Sequence, residues 1–154
     1  MNNLQQEITK TQAQLKKLQE QLEATKTITI ETAPVGTTLP DGTVVVARYE
    51  DSVLIAAPST TQVQCQWTPE FQPVFDSLKK EGFIPSQWYV PSLKELELAY
   101  KNCSKQFSAT SYWSSTEISS ACAFYVYFSN GFTDIDGKAS TFCVRAFRCV
   151  YLDT

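Results

Sequence analysis

Residues 122–135 read CAFYVYFSNGFTDI. Aromatic and β-branched residues dominate the stretch on both sides of Asn130-Gly131, which is typical of paired β-strands. The Asn-Gly pair favours a type I′ turn, because both central residues of that turn need positive φ. The stretch therefore predicts a hairpin of strands 122–128 and 132–135, and Asp136-Gly137 predicts the turn that follows it.

Further strands are predicted on both sides of this hairpin. Residues 112–117 and 141–151 extend it to an antiparallel meander. An earlier pair of strands, 44–49 and 52–57, follows a turn at Asp41-Gly42.

Two helices are predicted between the two groups of strands. For 68–82, Thr68 is the expected N-cap, Pro69 the first helical residue and Gly82 the stop. For 92–100, Ser92 and Glu95 have the spacing of a capping box. Helices and antiparallel strands in separate stretches of chain predict the α+β class.

Residues 4–26 carry a heptad pattern of apolar positions. The large aliphatic residues at positions a and d are Leu4, Ile8, Leu15, Leu18 and Leu22. A seam this narrow is typical of a coiled coil, whereas a helix that packs on its own domain has a wider apolar face. The e and g positions are mostly glutamine, so charge pairs that would select a different partner are largely absent. We expect a parallel homotrimer, with a dimer as the alternative and a single amphipathic helix as the competing interpretation.

The patterns divide the chain into three segments. Residues 1–27 form the predicted oligomerising coiled coil, 28–34 a linker and 35–154 the folded domain. The β-branched run before Pro34 and Gly36 ends the helical pattern. A domain of roughly 120 residues is long enough to bury its own core.

Composition excludes several classes of function. The chain has 154 residues, a net charge of −3 and no histidine. Without histidine, Ser-His-Asp, Cys-His and zinc-hydrolase chemistry are excluded within one chain. The negative charge argues against a nucleic-acid partner.

No apolar run approaches the about 20 residues of a membrane helix, and the N-terminus lacks the pattern of a secretory signal peptide. The composition favours a binding or structural protein without enzymatic activity, metal or cofactor.

The five cysteines contain no C-x-x-C pair, so a zinc knuckle is not expected. Most are predicted to be free thiols in the core, because free cysteine is often buried. One disulfide, such as Cys103 to Cys149, is the alternative. Cys122, Cys143 and Cys149 fall on predicted strands.

Four motifs resemble one family of bacterial and phage domains, named after the C-terminal domain of the collagen-like adhesin Lcl. WYVPSLKELEL (88–98) is similar to the family's W-R-L-P-T-x-x-E-L-x-x-L segment, and YWSSTE (112–117) to its Y-W-S-S-T-E signature. Residues 123–131 resemble its strand that ends in a glycine turn, and FCVRAFR (142–148) its closing Y-V-R-x-V-R strand. The residues that carry these motifs are Trp88, Pro91, Glu95, Leu96, Trp113, Ser114, Ser115, Arg145 and Arg148. Tyr89 stands where the family usually has arginine, so a role of that arginine does not carry over.

The resemblance covers roughly residues 35–150 and implies a C-type lectin-like fold. In that fold two helices pack on a twisted antiparallel sheet, with irregular loops on one face. Family members occur in bacterial surface adhesins and in tailed-phage virions, where they are thought to bind ligands, often glycans. No enzymatic activity is general to the family. A short coiled coil without a signal peptide resembles the phage arrangement.

Three motif residues have structural interpretations. Trp113 is predicted to be a buried anchor, with a stacking platform for a sugar as the alternative. Arg145 and Arg148 are three apart on one predicted strand and therefore point to opposite faces. One of them is predicted to lie near the core, paired with a carboxylate such as Glu95 or Glu117, because an unpaired buried charge is costly.

The candidate ligand surface is the hairpin segment 130–138. Near two turns it places five candidate side chains. They are the aromatic ring of Phe132, the carboxylates of Asp134 and Asp136, the amide of Asn130 and the ammonium group of Lys138. The two aspartates alternate onto one face, which suggests calcium, but the further ligands of a calcium loop are missing. A solvated hairpin without ligand is the competing interpretation.

Together these observations predict a homotrimeric phage virion structural protein, such as a tail fibre, appendage or decoration protein. Its lectin-like head is expected to attach to a host surface. The expected partners are other virion proteins and a cell-surface glycan, without nucleic acid or membrane insertion, and the expected location is the virion, assembled in the host cytoplasm. The alternatives are a bacterial cell-surface adhesin that binds glycans and an intracellular adaptor that uses the N-terminal helix.

Overall fold

Helix α1 spans Asn2–Lys26 and belongs to the first of two compact units, whose boundary lies between Ala33 and Pro34. The computed structural model describes residues 2–26 and 29–152, without the side chains of residues 2 and 22–26. The predicted helix is confirmed. Its apolar seam is exposed in the single chain, from 43% at Ile8 to 64% at Leu4. The side chain of Leu22 lies outside the described residues, and assembly into a coiled coil stays a prediction.

Residues 34–152, the described part of the second unit, contain eight strands and two α-helices. Their bounds are β1 Val44–Arg48, β2 Ser52–Ala56, β3 Val63–Cys65, α2 Gln72–Lys80, α3 Leu93–Cys103, β4 Ser111–Glu117, β5 Cys122–Tyr127, β6 Phe132–Gly137, β7 Phe142–Val144 and β8 Phe147–Tyr151. This content confirms the α+β class.

The strands form two sheets. The smaller sheet has the order β1-β2-β8 and is antiparallel. The larger sheet has the order β3-β7-β4-β5-β6, in which β4, β5 and β6 form the predicted antiparallel meander. Two of its features were not predicted. The short strand β3 has only three residues, and β7 pairs with β4 in parallel, so a wholly antiparallel sheet was wrong.

The predicted strand 141–151 is two strands, one in each sheet. The chain leaves β7 after Val144 and enters β8 at Phe147, with Arg145 and Ala146 between them. The backbone N–H of Ala57 donates to the Ala146 carbonyl at 2.8 Å, which holds this crossing against the end of β2. The alternation argument for Arg145 and Arg148 therefore failed, because it assumed one continuous strand.

Helix α2 begins three residues later than predicted. Its N-cap is Phe71, which has the left-handed φ of 45°, and Pro73 stands in the first turn, where no backbone N–H is needed. Thr68 does not cap the helix, because its hydroxyl accepts the Phe71 N–H at 3.1 Å, one turn earlier. The helix ends at Lys80, and Gly82 follows with a φ of +90°.

Helix α3 begins with the predicted capping box. The Glu95 carboxylate accepts the Ser92 N–H at 3.0 Å, and the Ser92 hydroxyl accepts the Glu95 N–H at 3.3 Å. Leu96 is buried, and Leu93 and Tyr100 pack partly buried against the core, as predicted. The helix contacts β1, β4 and β5, so it covers faces of both sheets.

The core beneath α3 is rich in aromatic rings. Phe107 stacks on Phe128 at 4.7 Å, and Tyr112 meets both rings edge-on at 5.4 and 4.8 Å. Such pairs stabilise beyond their buried area by about 1 kcal/mol each. Phe147 joins the cluster from β8, so one core links the two sheets.

The hairpin between β5 and β6 differs from the predicted type I′ turn. Tyr127 pairs with Phe132, so four residues form the loop, and among them only Gly131 has positive φ, at +79°. The Gly131 N–H donates to the Tyr127 carbonyl at 2.7 Å. A side chain at Gly131 would meet the Tyr100 ring, which explains why glycine is needed at this place.

The described cysteines are all free thiols, so the alternative disulfide between Cys103 and Cys149 is not formed. Cys103 and Cys143 are buried, and the other three are half-buried. Cys122, Cys143 and Cys149 lie on strands, as predicted.

Candidate functional site

The predicted ligand residues of segment 130–138 mostly serve the hairpin itself. The side chains of Asn130, Asp134 and Asp136 accept backbone N–H groups of Phe132, Ile135 and Gly137, at 2.7–2.9 Å. Phe132 is 58% exposed. These contacts shape the turn and the edge strand.

Asp134 and Asp136 lie on one face of β6, as their alternation predicts, and Asp134 pairs directly with Tyr125 of β5. Burial first, and then the charges of the two aspartates, raises the pKa of Tyr125. In the part of the chain that the structure describes, no three side chains of His, Cys, Asp or Glu come together as a metal site. The calcium hypothesis therefore has two carboxylates and no third ligand of these types.

The side-chain contacts of Lys138 lie outside the segment 130–138. Its ammonium group lies 2.6 Å from a carboxylate oxygen of Glu117 and 4.3 Å from the centroid of the Trp67 ring. Its two partners, Glu117 and Trp67, both line a pocket that was not predicted from the sequence.

This pocket, which we call the tryptophan pocket, has a volume of about 480 Å³. Its walls come from the segment before and within α2, from the segment before α3 and from the end of β4. The lining residues are Trp67, Pro69, Phe71, Phe75, Trp88, Tyr89, Val90, Ser115 and Glu117. A volume of this size is within the roughly 300–1,000 Å³ of small-molecule sites.

Trp67 forms the first aromatic wall. Its indole N–H donates to the Ser114 carbonyl at 2.8 Å, and its backbone N–H donates to the Lys138 carbonyl at 3.0 Å. Phe71 meets the indole edge-on, at 5.3 Å between ring centroids. Phe71 is also the one described residue other than glycine with positive φ. Such strain costs on the order of 1 kcal/mol and is common at functional sites.

Trp88 is a second tryptophan of the lining. The residue is 6% exposed, and Phe83 packs edge-on against it at 5.6 Å. Its buried indole N–H has no hydrogen-bond acceptor among the residues that the structure describes. A buried donor without an acceptor costs about 1–3 kcal/mol. The Trp88 N–H is thus an unpaired donor that the surrounding protein covers.

Backbone contacts fix the Trp88 segment in place. Tyr89 exchanges two hydrogen bonds with Phe147 of β8, at 2.9 and 2.7 Å, and the Ser115 N–H donates to the Pro91 carbonyl at 2.8 Å. The Tyr89 hydroxyl also donates to the Glu95 carboxylate. Burial and this hydrogen bond raise the pKa of Tyr89. The walls of the tryptophan pocket are thus joined to both sheets and to the start of α3.

The polar groups of the pocket are on the β4 side. Ser115 is exposed, the Glu117 side chain is 51% exposed and Lys138 only 17%. Glu117 and Lys138 neutralise one another at the rim. The exposed polar residues of the pocket are thus Ser115 and Glu117, beside aromatic rings that are largely buried.

The remaining motif residues have structural positions. Trp113 is fully buried, as predicted, and its indole N–H donates to the Cys65 carbonyl at 3.2 Å. The Ser114 hydroxyl donates to the Phe124 carbonyl at 2.7 Å, and Pro91 is buried. The predicted ion pair of a core arginine was wrong. Arg145 is buried against carbonyl oxygens, while Glu95 serves the capping box and Glu117 pairs with Lys138.

Trp88, Tyr89, Val90, Ser115 and Glu117 stood in the sequence motifs and Pro69 at a predicted helix start, but none of them was predicted to line a pocket. Glu117 was predicted to pair with an arginine, and Trp67, Phe71 and Phe75 were not singled out as site residues. One signal was present, because Trp67 directly precedes the turn residues Thr68-Pro69, and a large aromatic ring beside a turn often lines a surface site.

No protein-family model matches the chain, and no curated protein matches it. Among residues 2–26 and 29–152, no helix has both the length and the apolar character needed to cross a membrane. The functional assignment therefore depends on the helix seam and on the pocket.

Proposed function

We propose that the protein is a homotrimeric phage virion structural protein, such as a tail fibre, appendage or decoration protein, whose C-terminal domain attaches to a host surface. The observation that carries the proposal is the seam of α1. Leu4, Ile8, Leu15 and Leu18 are 43–64% exposed in the single chain. Covering each of them in a helical assembly contributes roughly 1 kcal/mol. The glutamines beside the seam provide no charge pattern for a foreign helix, which favours copies of the same chain.

The C-terminal unit supports an attachment role. Its two helices and antiparallel meander are compatible with the C-type lectin-like fold, which we propose for residues 35–154. The tryptophan pocket gives this unit a surface for a small ligand. Other virion proteins are the proposed structural partners, and the virion is the proposed location.

Sedimentation equilibrium of the full chain tests the assembly. The expected mass is about 52 kDa, three times the 17.3 kDa of one chain, and independent of concentration in the micromolar range. A constant 17.3 kDa would falsify the proposed assembly. Mass spectrometry of phage particles purified from a host that carries the gene tests the location, and absence from intact particles would contradict a virion role.

A further inference from the structure

We propose that Asp134 and Asp136 keep strand β6 from pairing with a second copy of the chain. β6 is the last strand in the order of the larger sheet, so one of its sides faces no other strand of the described chain. On that open side, each aspartate holds a backbone N–H group that an added strand would need. The inference goes beyond the proposed function and does not depend on the assembly of α1.

The hydrogen bonds at both ends of the hairpin show which residues of β6 face the open side. In an antiparallel pair, successive residues turn their N–H and C=O groups alternately toward the partner strand and away from it. The Phe124 carbonyl accepts a hydroxyl of β4 at 2.7 Å, so Phe124 faces β4, and Ile135, its pair on β6, faces the open side. The Lys138 N–H donates to the Ala121 carbonyl at 2.9 Å, so the preceding residue, Gly137, faces the open side as well.

Aspartate side chains occupy two N–H groups of that open side. The Asp134 carboxylate accepts the Ile135 N–H at 2.8 Å. The Asp136 carboxylate accepts the Gly137 N–H at 2.7 Å. Unpaired N–H and C=O groups make an edge strand a template for another chain. A strand that added to β6 would therefore have to displace both carboxylates.

The sequence of the hairpin makes an edge without such bonds prone to association. Residues 122–128, CAFYVYF, contain no charged residue, no proline and no glycine, and such segments associate readily as β-strands. Phe132 and Ile135 of β6 are 58% and 40% exposed, so the open edge also carries apolar side chains. Charged residues beside a strand of this kind prevent association. A second copy is the expected partner, because it brings an identical edge with the same apolar side chains.

Replacement of the two aspartates in the full chain tests the inference. Asp134→Ala with Asp136→Ala removes both acceptors. Asp134→Asn with Asp136→Asn changes the net charge equally but keeps an acceptor oxygen at each position. A third variant adds Ile135→Pro to the alanine pair and thereby removes an N–H from the open side. Sedimentation velocity measures the mass of each variant, and thermal unfolding shows that it is folded.

We expect the alanine pair to reach at least about twice the wild-type mass at equal concentration, and the other two variants to keep the wild-type mass. The inference is overturned if the alanine pair also keeps the wild-type mass. It is equally overturned if the asparagine pair associates as strongly, since charge would then be the cause. Association that persists with Ile135→Pro overturns it too, because the contact would lie elsewhere than the edge of β6.

Hydrogen exchange of the wild type provides a measurement that needs no variant. The amides of Ile135 and Gly137 should have protection factors about tenfold above that of Thr133, which faces the same open side. Equal protection of the three amides would overturn the inference even if a variant fails to fold. A wild-type monomer refutes the proposed trimer alone, because every comparison of mass is made with the wild type.

Discussion

The guanidinium group of Arg145 lies 4.5 Å from the centroid of the Phe107 ring, in a position only 2% exposed. Its Nε donates to the Ala57 carbonyl and its Nη1 to the Gln106 carbonyl, both at 2.6 Å. Burial lowers the pKa of Arg145. Carbonyl dipoles and an aromatic face thus hold this cation where the sequence suggested a carboxylate. The contacts join the end of β2, the segment after α3 and the crossing from β7 to β8.

Arg145→Lys is expected to lower the free energy of unfolding by about 2 kcal/mol. A single ammonium group cannot donate in two fixed directions and lie flat on Phe107 at once. Urea denaturation measures the change. Arg148→Lys, at a half-buried position of β8, is the control and should stay within about 0.5 kcal/mol. Equal losses of stability in the two variants would show that the hydrogen bonds from Arg145 to the two carbonyls do not account for the loss.

Gly131→Ala is expected to lower the free energy of unfolding by about 2–3 kcal/mol, because positive φ and steric overlap both act there. The added Cβ would overlap the Tyr100 ring at Cε1. Gly82→Ala is the matched control. Gly82 has a φ of +90° with no atom near its missing Cβ, so only the backbone cost of about 1 kcal/mol applies. If the two substitutions cost the same, the approach of Tyr100 to the hairpin loop is looser than described.

Cys103 predicts a dependence of stability on alkaline pH. Burial raises the pKa of its thiol from 9.0 to about 11, with the nearby Arg145 acting weakly in the opposite direction. Between these values the unfolded thiol loses its proton while the folded one keeps it. The free energy of unfolding therefore falls by up to roughly 2 kcal/mol as pH rises from 9 to 11, and is unaffected by this group below pH 9.

Denaturation of the wild type and of Cys103→Ala from pH 8 to pH 11 isolates this effect. The tyrosines and the other cysteines titrate in both proteins, so their contributions cancel in the difference. We expect the variant to lose less stability than the wild type over this range. Parallel curves would mean that the Cys103 thiolate is tolerated in the folded protein.

Leu15→Lys is expected to dissociate the α1 assembly. It places a charge in the centre of the seam, where Leu15 is 56% exposed in the single chain and is expected to be covered in the trimer. Sedimentation should show a shift toward 17.3 kDa. Ala13→Lys, on the opposite side of the helix, adds the same charge and should leave the mass unchanged. Dissociation by both substitutions would indicate that net charge, and not the seam, decides assembly.

The elements that were predicted correctly depend on neighbours in sequence. The Ser92–Glu95 capping box and the alternation of the meander strands each need only residues within a few positions. Where a prediction failed, a distant contact decides. Phe71 replaces Thr68 as the N-cap because its ring packs on Trp67, and β3 exists because β7 lies beside it. Arg145 lies between two strands, where its guanidinium group donates to the carbonyls of Ala57 and Gln106. These partners are 88 and 39 residues away in the chain, so no local pattern predicts them.

The candidate site shows the same division. Trp88 and Ser115 were singled out from their motifs, but nothing local indicates that both face one pocket with Trp67. That arrangement follows from the Ser115 to Pro91 hydrogen bond and from the pairing of Tyr89 with Phe147. Lys138 was chosen as a ligand residue of the hairpin, and its actual partners come from β4 and from the segment after β3.

By itself, the sequence determined the α+β class, the α1 helix with its apolar seam, the capping box of α3 and the order of the meander strands. Each of these follows from periodicity or from hydrogen bonds that close within one turn. Only the tertiary structure decided the parallel pairing of β7 with β4, the two carbonyl acceptors of Arg145 and the tryptophan pocket. These features depend on close packing between segments far apart in the chain, and such packing selects side-chain partners by shape and distance, which no local pattern records.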